Sequence, residues 1–450
     1  MKTAFVFGLA LLVACVSANP PVVAPAATTD PLAAEIDRRA AETLASGKTA
    51  GVSVAILRDD KLAFAKGYGY ANLAGKRAAD ADTVYRIGSV TKQFTAAAIV
   101  QLVEAGKLTF ATDVRTLVDI PTGGRTVTIL QLLQHSSGMP SYTEIPSFKA
   151  ILNKSHTPAQ IVALVKDTPW DFEPGTRFHY SNTGYVVLGM VIEKVSGESY
   201  AGYLAKHVFP KAGLTRTTYC DETKPDPHRA TGYELDDRKA LVPARPIDMS
   251  FPFSAGALCS TVIDLLRWDV ALRTGNIVSP AGYQQMIAPG HGNYGFGLFV
   301  APVHGHLSVR HGGGINGFVS ELAGYPDDRI TIAVLTNAET SAAPALEKQV
   351  ALRALNIPSR AVPITAAALA PYAGIYVLPG LGDASLVIHD THLEISVVGQ
   401  PTFELEHRGH HTFANDQLDA TFTFTFAGGV ATKLLIVQHG KALEGLRKVD

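Results

Sequence analysis

The chain has 450 residues, of which 47% are hydrophobic and 18% are charged, and its formal net charge is −1. This composition excludes a disordered tail, and the length favours two domains over one compact core. A near-neutral charge balance provides no broad basic face to bind phosphates, so nucleic acid is not an expected partner.

The N-terminus has the pattern of an export signal. Lys2 is followed by an apolar run from Ala4 to Val16 that is too short for a comfortable membrane span. The small residues before Asn19 resemble a cleavage site, which makes residues 1–18 a predicted signal peptide. The sequence therefore predicts an exported protein, periplasmic or secreted.

A second interpretation of the same segment is a lipoprotein box. Leu12-Val13-Ala14-Cys15 has that pattern, and processing there would leave a lipid on Cys15. Such an anchor would be the protein's only expected contact with a membrane. The proline-rich residues 19–29 that follow predict a mobile linker.

Two cysteines, Cys220 and Cys259, remain if Cys15 belongs to the leader. Export permits a disulfide bond between them, but two buried thiols agree equally well with the sequence. The chain has no Cys-x-x-Cys pair, so its cysteines do not indicate zinc.

The folded part is predicted to open with a helix and a hairpin. Asp30 caps the helix, Pro31 takes its first position, and residues 52–56 alternate as a strand that returns at 62–64. A long helix is predicted from Ser89 to Leu108. It is apolar almost all round, which predicts a place in the centre of a domain.

Further helices and three strands are predicted before residue 360, after which the pattern changes. The chain then shows short alternating strands punctuated by glycines, typical of a small antiparallel barrel or sandwich. The sequence thus predicts a domain over 30–358 and a second over 359–450. The remaining helices are predicted at 158–166, 184–195, 199–206, 262–273 and 342–355, and the strands at 307–311, 318–325 and 330–335.

Ser89-Val90-Thr91-Lys92 begins the long helix. Residues three apart lie on one helical face, so the Lys92 amine can reach the Ser89 hydroxyl. Burial would favour a neutral amine, which can act as a base. Taken alone, the motif is common, and an N-cap serine followed by a surface lysine explains it as well.

Two later motifs carry further candidates. Tyr180-Ser181-Asn182 offers a phenol to relay a proton and an amide to hold a carbonyl, although a turn and a helix cap would look the same. His311-Gly312-Gly313-Gly314 ends an alternating strand, where glycines let a substrate backbone approach and leave N–H groups free for an oxyanion. A flexible glycine loop is the structural alternative.

The three motifs together, in this order and about 90 and then 130 residues apart, resemble the penicillin-recognising serine enzymes. The chain is similar over about residues 30–340 to their class C β-lactamase-related branch, which includes D-aminopeptidases, D,D-carboxypeptidases and esterases. The resemblance implies an α/β (α+β) β-lactamase/transpeptidase-like domain with an antiparallel sheet flanked by helices, followed by an all-β, lipocalin-like barrel. Further matching segments are 66–72, 132–140, 180–185, 255–261 and 317–318.

The resemblance also implies roles for individual residues. Ser89 would be the nucleophile, and Lys92 and Tyr180 would share the base and acid roles. Backbone N–H groups of Ser89 and Gly314 would form the oxyanion hole, and no cofactor or metal is implied. Three groups would contact or border the substrate: the Asn182 amide, the Tyr142 side chain as a pocket wall, and the strand His311-Gly312-Gly313.

One departure from the family pattern bears on the substrate. The β-lactamases of this branch carry Lys-Thr-Gly where this chain has His311-Gly312-Gly313. A neutral histidine and a glycine would hold a drug's carboxylate less well. The sequence therefore favours peptides containing D-amino acids, or esters, over β-lactams, and cell-wall peptidoglycan is a candidate partner.

Two other functions remain open at this level. A metal hydrolase could use the His407, His410 and His411 cluster with His304 and His306, although these lack a helical His-x-x-x-His spacing. A non-enzymatic protein that binds penicillin or cell wall, acylates and stalls would carry the same serine motifs.

Overall fold

The computed structural model describes residues 30–221, 223–303, 306–357, 362–390, 392–397, 400–415, 418, 420–438 and 441–448. The predicted signal peptide, Cys15 and the linker lie outside the described residues, and so does the predicted boundary at 358/359. The helices are α1 (Pro31–Ala45), α2 (Thr91–Glu104), α3 (Ile129–Leu133), α4 (Phe148–Ile151), α5 (Pro158–Ala163), α6 (Asn182–Ser196), α7 (Tyr200–His207), α8 (Phe253–Gly256), α9 (Val262–Arg273), α10 (Pro280–Ile287), α11 (Ala342–Ala354) and α12 (Ala366–Leu369).

The strands before residue 340 build one large antiparallel sheet and two small ones. The large sheet has seven strands in the order β3-β2-β1-β12-β11-β10-β9, so the first hairpin pairs with the last strand of the domain. The strands are β1 (Gly51–Arg58), β2 (Lys61–Asn72), β3 (Arg77–Ala78), β4 (Tyr85–Arg86), β5 (Thr218–Tyr219), β6 (Tyr233–Leu235), β7 (Leu241–Pro243), β8 (Leu258–Ser260), β9 (Phe299–Val303), β10 (His306–Ile315), β11 (Phe318–Tyr325) and β12 (Ile330–Thr336).

Both faces of the large sheet are covered. On β1, Val52, Val54 and Ile56 pack with the core of α1 and α11, whereas Ala55 and Leu57 face the core that contains α2, α6 and α9. Successive side chains of a strand point to opposite faces, so a strand covered on both sides is apolar throughout. The predicted antiparallel sheet flanked by helices is confirmed.

Helix α2 lies in the larger core, as its uniformly apolar sequence predicts. All but three of its residues are buried. It is shorter than the predicted span, because Ser89 belongs to a tight 3₁₀ turn over Gly88–Val90 and the helix ends before Gly106, which has a φ of 67°. Ser89 therefore precedes the first turn of the α-helix.

The C-terminal strands close into an eight-stranded antiparallel barrel, β13 through β20, with β20 pairing back to β13. The residues at 421–426 alternate between the two faces of the strand, as predicted. Phe422 and Phe424 point into the barrel core, and the neighbouring threonines do not. The predicted all-β barrel is confirmed. Its strands are β13 (Gly374–Leu378), β14 (Gly382–His389), β15 (His392–Val397), β16 (Phe403–Gly409), β17 (Thr412–Asn415), β18 (Ala420–Ala427), β19 (Val430–Gln438) and β20 (Lys441–Arg447).

Cys220 and Cys259, left open by the sequence, form a disulfide bond. The bond joins the end of β5 to its partner strand β8, which directly follows α8. The bond therefore links β5 covalently to the α8–β8 segment, which packs against α2. Among the helices of the described residues, none combines the length and apolar character needed to cross a membrane.

Removing this disulfide should destabilise the serine-bearing domain. The two cysteines are 39 residues apart, and closing a loop of that length stabilises a protein by about 2–4 kcal/mol. Cys220→Ala with Cys259→Ala should therefore unfold at a lower urea concentration than wild type under oxidising conditions. Dithiothreitol should lower the wild-type midpoint and leave that of the double variant unchanged. Equal midpoints for the two oxidised proteins would contradict the stabilising role.

Candidate functional site

Ser89 lies where the loop before α2 meets strand β10. The Ser320 hydroxyl on β11 donates to the Ile87 carbonyl at 2.8 Å and holds this loop against the sheet. A Cβ added to Gly313 would lie 2.9 Å from the Ser89 nitrogen, and one added to Gly88 would lie 3.0 Å from the Gly314 nitrogen. The two backbones therefore touch at glycines, because no side chain fits between them.

Lys92 lies beneath Ser89 and has no exposure to solvent. Its amine contacts three oxygens: Ser89 Oγ at 3.0 Å, Asn182 Oδ1 at 2.8 Å and the Ala255 carbonyl at 2.8 Å. All three are uncharged, so nothing offsets the cost of burying a cation. Burial therefore lowers the pKa of Lys92 well below its usual value. A neutral amine beside a serine hydroxyl is placed to take its proton.

Tyr180 is the second proton-carrying group at Ser89. Its ring lies near the lysine, with the Lys92 nitrogen 4.8 Å from the ring centroid. Burial raises the pKa of Tyr180, and the nearby Ser89 hydroxyl offsets only part of that rise. Among the described residues its buried hydroxyl has no hydrogen-bond partner of good geometry. Such an unpaired phenol is available to a reacting group at Ser89.

Asn182, at the start of α6, is fixed at both ends of its amide. Its oxygen accepts from Lys92, and its nitrogen donates to Thr143 Oγ1 at 3.1 Å. Its backbone N–H donates to Ser141 Oγ, also at 3.1 Å. These contacts join the loop at 141–143 to the start of α6 and let Asn182 hold Lys92, while its contact with a substrate stays a prediction.

His311 lies on β10 below Tyr180, and its two ring nitrogens are satisfied within the protein. Nδ1 is 2.5 Å from the Gly312 carbonyl, which can only accept, so Nδ1 carries the proton. Nε2 then accepts from the Tyr294 hydroxyl at 2.9 Å. Burial lowers the pKa of His311 to about 3, so the ring is neutral at physiological pH. The lysine of the β-lactamase pattern is therefore replaced in this chain by an uncharged side chain.

Gly312 was predicted to contact substrate, but its α-carbon faces the other side of the sheet. A Cβ there would lie 2.7 Å from the carboxylate of Glu321, the residue opposite it on β11. A threonine at this position would therefore meet a buried carboxylate. In the structure, none of the three predicted strand residues His311, Gly312 and Gly313 is among those that line the cleft at Ser89.

The cleft above Ser89 is open to solvent and has a volume of about 670 Å³, counting the space at its mouth. Tyr142, predicted as a wall, lines it together with Phe148 and Phe251, and the rings of these three residues contact one another. The other residues that line it are Gly88, Ser89, Thr143, Asn182, Ile247, Pro252, Ala255, Gly256, Gly314, Ile315, Asn316 and Glu339.

His135 lies in the matching segment 132–140, and no sequence pattern predicts a role for it. Its Nδ1 accepts from the Ser181 N–H at 3.1 Å, and its ring packs on that of Tyr180 with centroids 4.2 Å apart. Burial lowers the pKa of His135 well below its usual value. The neutral His135 ring therefore packs against the Tyr180 ring and helps to position it. A histidine followed by Ser-Ser-Gly gives no signal of this contact from sequence, because the partner lies 45 residues further along.

Three of the histidines considered for a metal site contact other groups: His306, whose Nδ1 is 2.8 Å from Asp328 Oδ2, and His407 and His411 in the barrel. His407 Nδ1 lies 3.2 Å from the Val362 carbonyl, and His411 Nδ1 lies 2.8 Å from the Tyr372 hydroxyl. His304 lies outside the described residues. Within the described ranges no three His, Cys, Asp or Glu side chains are grouped to hold a metal ion.

Comparison with known sequences identifies one family model along most of the first domain. The beta-lactamase model matches residues 36–356. The chain is 32% identical to penicillin-binding protein PbpX of Bacillus subtilis (strain 168) over 248 residues, which is 55% of this chain and 61% of that protein. A second penicillin-binding protein of the same strain is 29% identical over 421 residues, covering 84% of this chain and 91% of its own length.

Two solved structures are similar to the whole chain or to its first domain. An octameric penicillin-binding protein homologue from Pyrococcus abyssi is 28% identical, with a TM-score of 0.66, over 91% of this chain and 99% of that one. The D-amino acid amidase from Ochrobactrum anthropi SV3, complexed with L-phenylalanine amide, is 26% identical with a TM-score of 0.63. That match covers 73% of this chain and 99% of the amidase.

Removing the Tyr180 hydroxyl should not destabilise the fold. Tyr180→Phe deletes a buried group that makes no hydrogen bond in the structure, so the free energy of unfolding should stay the same or rise slightly. Tyr185→Phe is the matched control, because the equally buried Tyr185 hydroxyl donates to the Leu133 carbonyl at 2.9 Å. It should lower the free energy of unfolding by about 1–3 kcal/mol. Urea unfolding of both variants measures the difference, and an equal loss in the two would contradict the assignment.

Proposed function

The chain belongs to the β-lactamase family of serine hydrolases, and on that basis we propose that it is an exported enzyme acting through an acyl-enzyme on Ser89. Its substrates in this proposal are peptides containing D-amino acids, or esters. The observation that carries the proposal is the buried Lys92 amine, which lies 3.0 Å from Ser89 Oγ with uncharged partners only. A serine and a neutral lysine in this arrangement form an activated nucleophile.

In the proposed reaction, neutral Lys92 accepts the proton of Ser89 Oγ as that oxygen attacks the substrate carbonyl carbon. The developing oxyanion lies between the backbone N–H groups of Ser89 and Gly314, at the junction where glycines bring the two backbones together. Lys92 and Tyr180, acting as a pair, pass the proton to the departing amine or alcohol. Water then adds to the acyl-enzyme by the reverse sequence, releasing the acid and restoring the serine.

The substrate preference rests on the neutral His311 and on relatives. A β-lactam carries a carboxylate, and His311 presents neither a charge nor an unused donor to it. One similar structure is that of a D-amino acid amidase, an enzyme named for amide substrates. These two observations support amides and esters over β-lactams.

Export is supported by two independent features. The N-terminal sequence has the order of charge, apolar run and small residues that exported chains carry. The disulfide between Cys220 and Cys259 fits an oxidising compartment. Cell-wall peptidoglycan would be a substrate or partner encountered there.

Intact mass spectrometry tests the acyl-enzyme directly. Brief exposure to a penicillin or to p-nitrophenyl acetate should produce an adduct or rapid turnover in wild type, and neither in Ser89→Ala. Ester turnover without a penicillin adduct supports the preference proposed above. A penicillin adduct that persists for hours, without ester turnover, would instead indicate a penicillin-binding sensor. Equal ester turnover by Ser89→Ala would refute the mechanism.

The pH dependence of ester hydrolysis should reflect the ionisation of Lys92. A base acts in its deprotonated form, and burial lowers the pKa of this lysine well below 10.5. The value of kcat/KM should therefore already be high near neutral pH and fall as the medium is acidified through the lowered pKa. Stopped-flow rates with p-nitrophenyl acetate between pH 4 and pH 10 would measure this profile. A rate that rises only near pH 10.5 would contradict a neutral lysine.

A further inference from the structure

The chain makes a tight turn at residues 294–299 as it enters β9, and no motif of the sequence predicts a role for this turn. The Gly295 N–H donates to the Leu298 carbonyl at 2.8 Å and closes the turn. The Phe296 N–H donates to the Met286 carbonyl, in the last turn of α10, also at 2.8 Å. Backbone hydrogen bonds therefore fix the turn in place.

One side of this turn lies against the backbone of Lys92. Gly297 has a φ of 72°, and a Cβ there would lie 2.6 Å from the Lys92 carbonyl oxygen and 2.9 Å from the Gln93 nitrogen. Glycine alone combines this backbone conformation with so close an approach. The position of the first turn of α2, which carries the Lys92 amine, therefore depends on the position of the turn at 294–299.

Tyr294, the first residue of the turn, contacts His311 through its side chain. It is fully buried, and its hydroxyl donates to His311 Nε2 at 2.9 Å. Because Nδ1 of the same ring donates to the Gly312 carbonyl, Nε2 presents a lone pair, and the Tyr294 hydroxyl satisfies it. Burial raises the pKa of Tyr294 well above its usual value, so the hydroxyl keeps its proton at physiological pH.

The Tyr294 ring also contacts the ring of Tyr180. The two rings meet edge to face with centroids 6.2 Å apart, and Tyr294 packs on His135, the histidine behind Tyr180, at 4.6 Å. The Tyr180 hydroxyl has no hydrogen-bond partner of good geometry among the described residues, so the packing of its ring sets its direction. A single turn thus contacts Lys92, Tyr180 and His311.

We propose that Tyr294 and Gly297 are positioning residues that set the geometry of the Lys92 amine and the Tyr180 hydroxyl around Ser89. Neither residue is among the described residues that line the cleft, so neither is expected to contact a substrate. Proton transfer requires heavy atoms about 2.6–3.2 Å apart, so a small displacement of either group slows it. This assignment rests on the proposed function, because it concerns proton transfer at the same serine.

Tyr294→Phe keeps the ring and removes the hydroxyl that bonds to His311. It should lower kcat and kcat/KM for p-nitrophenyl acetate equally, by at least about tenfold, because it acts on proton transfer and not on substrate binding. Tyr325→Phe is the matched control. Tyr325 is equally buried in the core of α1 and α11, and its hydroxyl donates to Glu347 Oε1 at 3.1 Å. It should lower the free energy of unfolding and keep the wild-type kcat.

A spectroscopic measurement separates positioning from a loss of folded protein. Nitrogen NMR of protein labelled at the histidine rings should show His311 with its proton on Nδ1 in wild type, and His311→Gln assigns that signal. Tyr294→Phe should shift the Nε2 resonance, because that nitrogen loses its donor. Tyr325→Phe should leave the resonance unchanged.

Gly297→Ala tests the contact with Lys92 by a second route. The added methyl group has to displace the Lys92 carbonyl, so kcat per folded molecule should fall at least about tenfold. Gly69→Ala is the matched control, because Gly69 also has a positive φ, of 68°, and its methyl group would crowd the Ala50 carbonyl near β3. Both variants should lower the free energy of unfolding, measured in urea, and only Gly297→Ala should lower kcat.

The outcomes separate this inference from the proposed function. If p-nitrophenyl acetate hydrolysis does not depend on Ser89, the proposed function fails and this inference fails with it. If hydrolysis depends on Ser89 but Tyr294→Phe keeps the wild-type kcat, or lowers it only as much as Tyr325→Phe does, the positioning role alone is overturned. Should Gly297→Ala fail to fold, the result with Tyr294→Phe decides.

Discussion

Burying an amine among uncharged partners is the constraint on which the site depends. Lys92 is enclosed in the core around α2, where a cation would lose its hydration without gaining an anion. The fold accommodates the amine by supplying three oxygens from three places: the turn before α2, the start of α6 and the end of α8. The Lys92 nitrogen thus contacts all three segments. The same atom is the proposed base and a link between parts of the domain core.

Further contacts hold in place the segments that surround Lys92. Ser320 holds the nucleophile loop to the sheet, the loop at 141–143 holds Asn182, and the disulfide between Cys220 and Cys259 holds the segment after α8. None of these groups needs to touch a substrate. Their common effect is to preorganise Ser89, Lys92 and Tyr180, which lowers the reorganisation required during a reaction.

Much of the fold was predictable because its signals are local. The uniformly apolar sequences of α2 and β12 indicate buried elements, glycines mark the turns of the barrel, and the alternation of Phe422 and Phe424 follows from a period of 2 residues. The three motifs around Ser89, Tyr180 and His311 were also visible, and the structure brings them together. The face that each strand residue takes was harder to predict. His311 and Gly312 are adjacent on a strand, so they face opposite sides of the sheet, and neither lines the cleft at Ser89.

Other features could not be predicted because they depend on contacts between distant segments. His135 lies behind Tyr180 only once α3 and α6 pack together, and Tyr294 reaches its partner on β10 only because β9 pairs with that strand. The pairing of Cys220 with Cys259 likewise depends on β5 meeting β8. A local sequence pattern carries no information on contacts between distant segments, since these contacts are set by the topology of the domain.

The glycine junction between the nucleophile loop and β10 has a consequence for how such a protein can diversify. Gly88 and Gly313 have no room for a methyl group, so almost every substitution there would separate the serine from its oxyanion donors. We therefore expect variants that keep the activity to keep both glycines. A new substrate specificity must instead come from substitutions at the rim of the cleft, where side chains are exposed to solvent and can be replaced one at a time. The reactive centre can in this way stay the same while the substrates of the enzyme change.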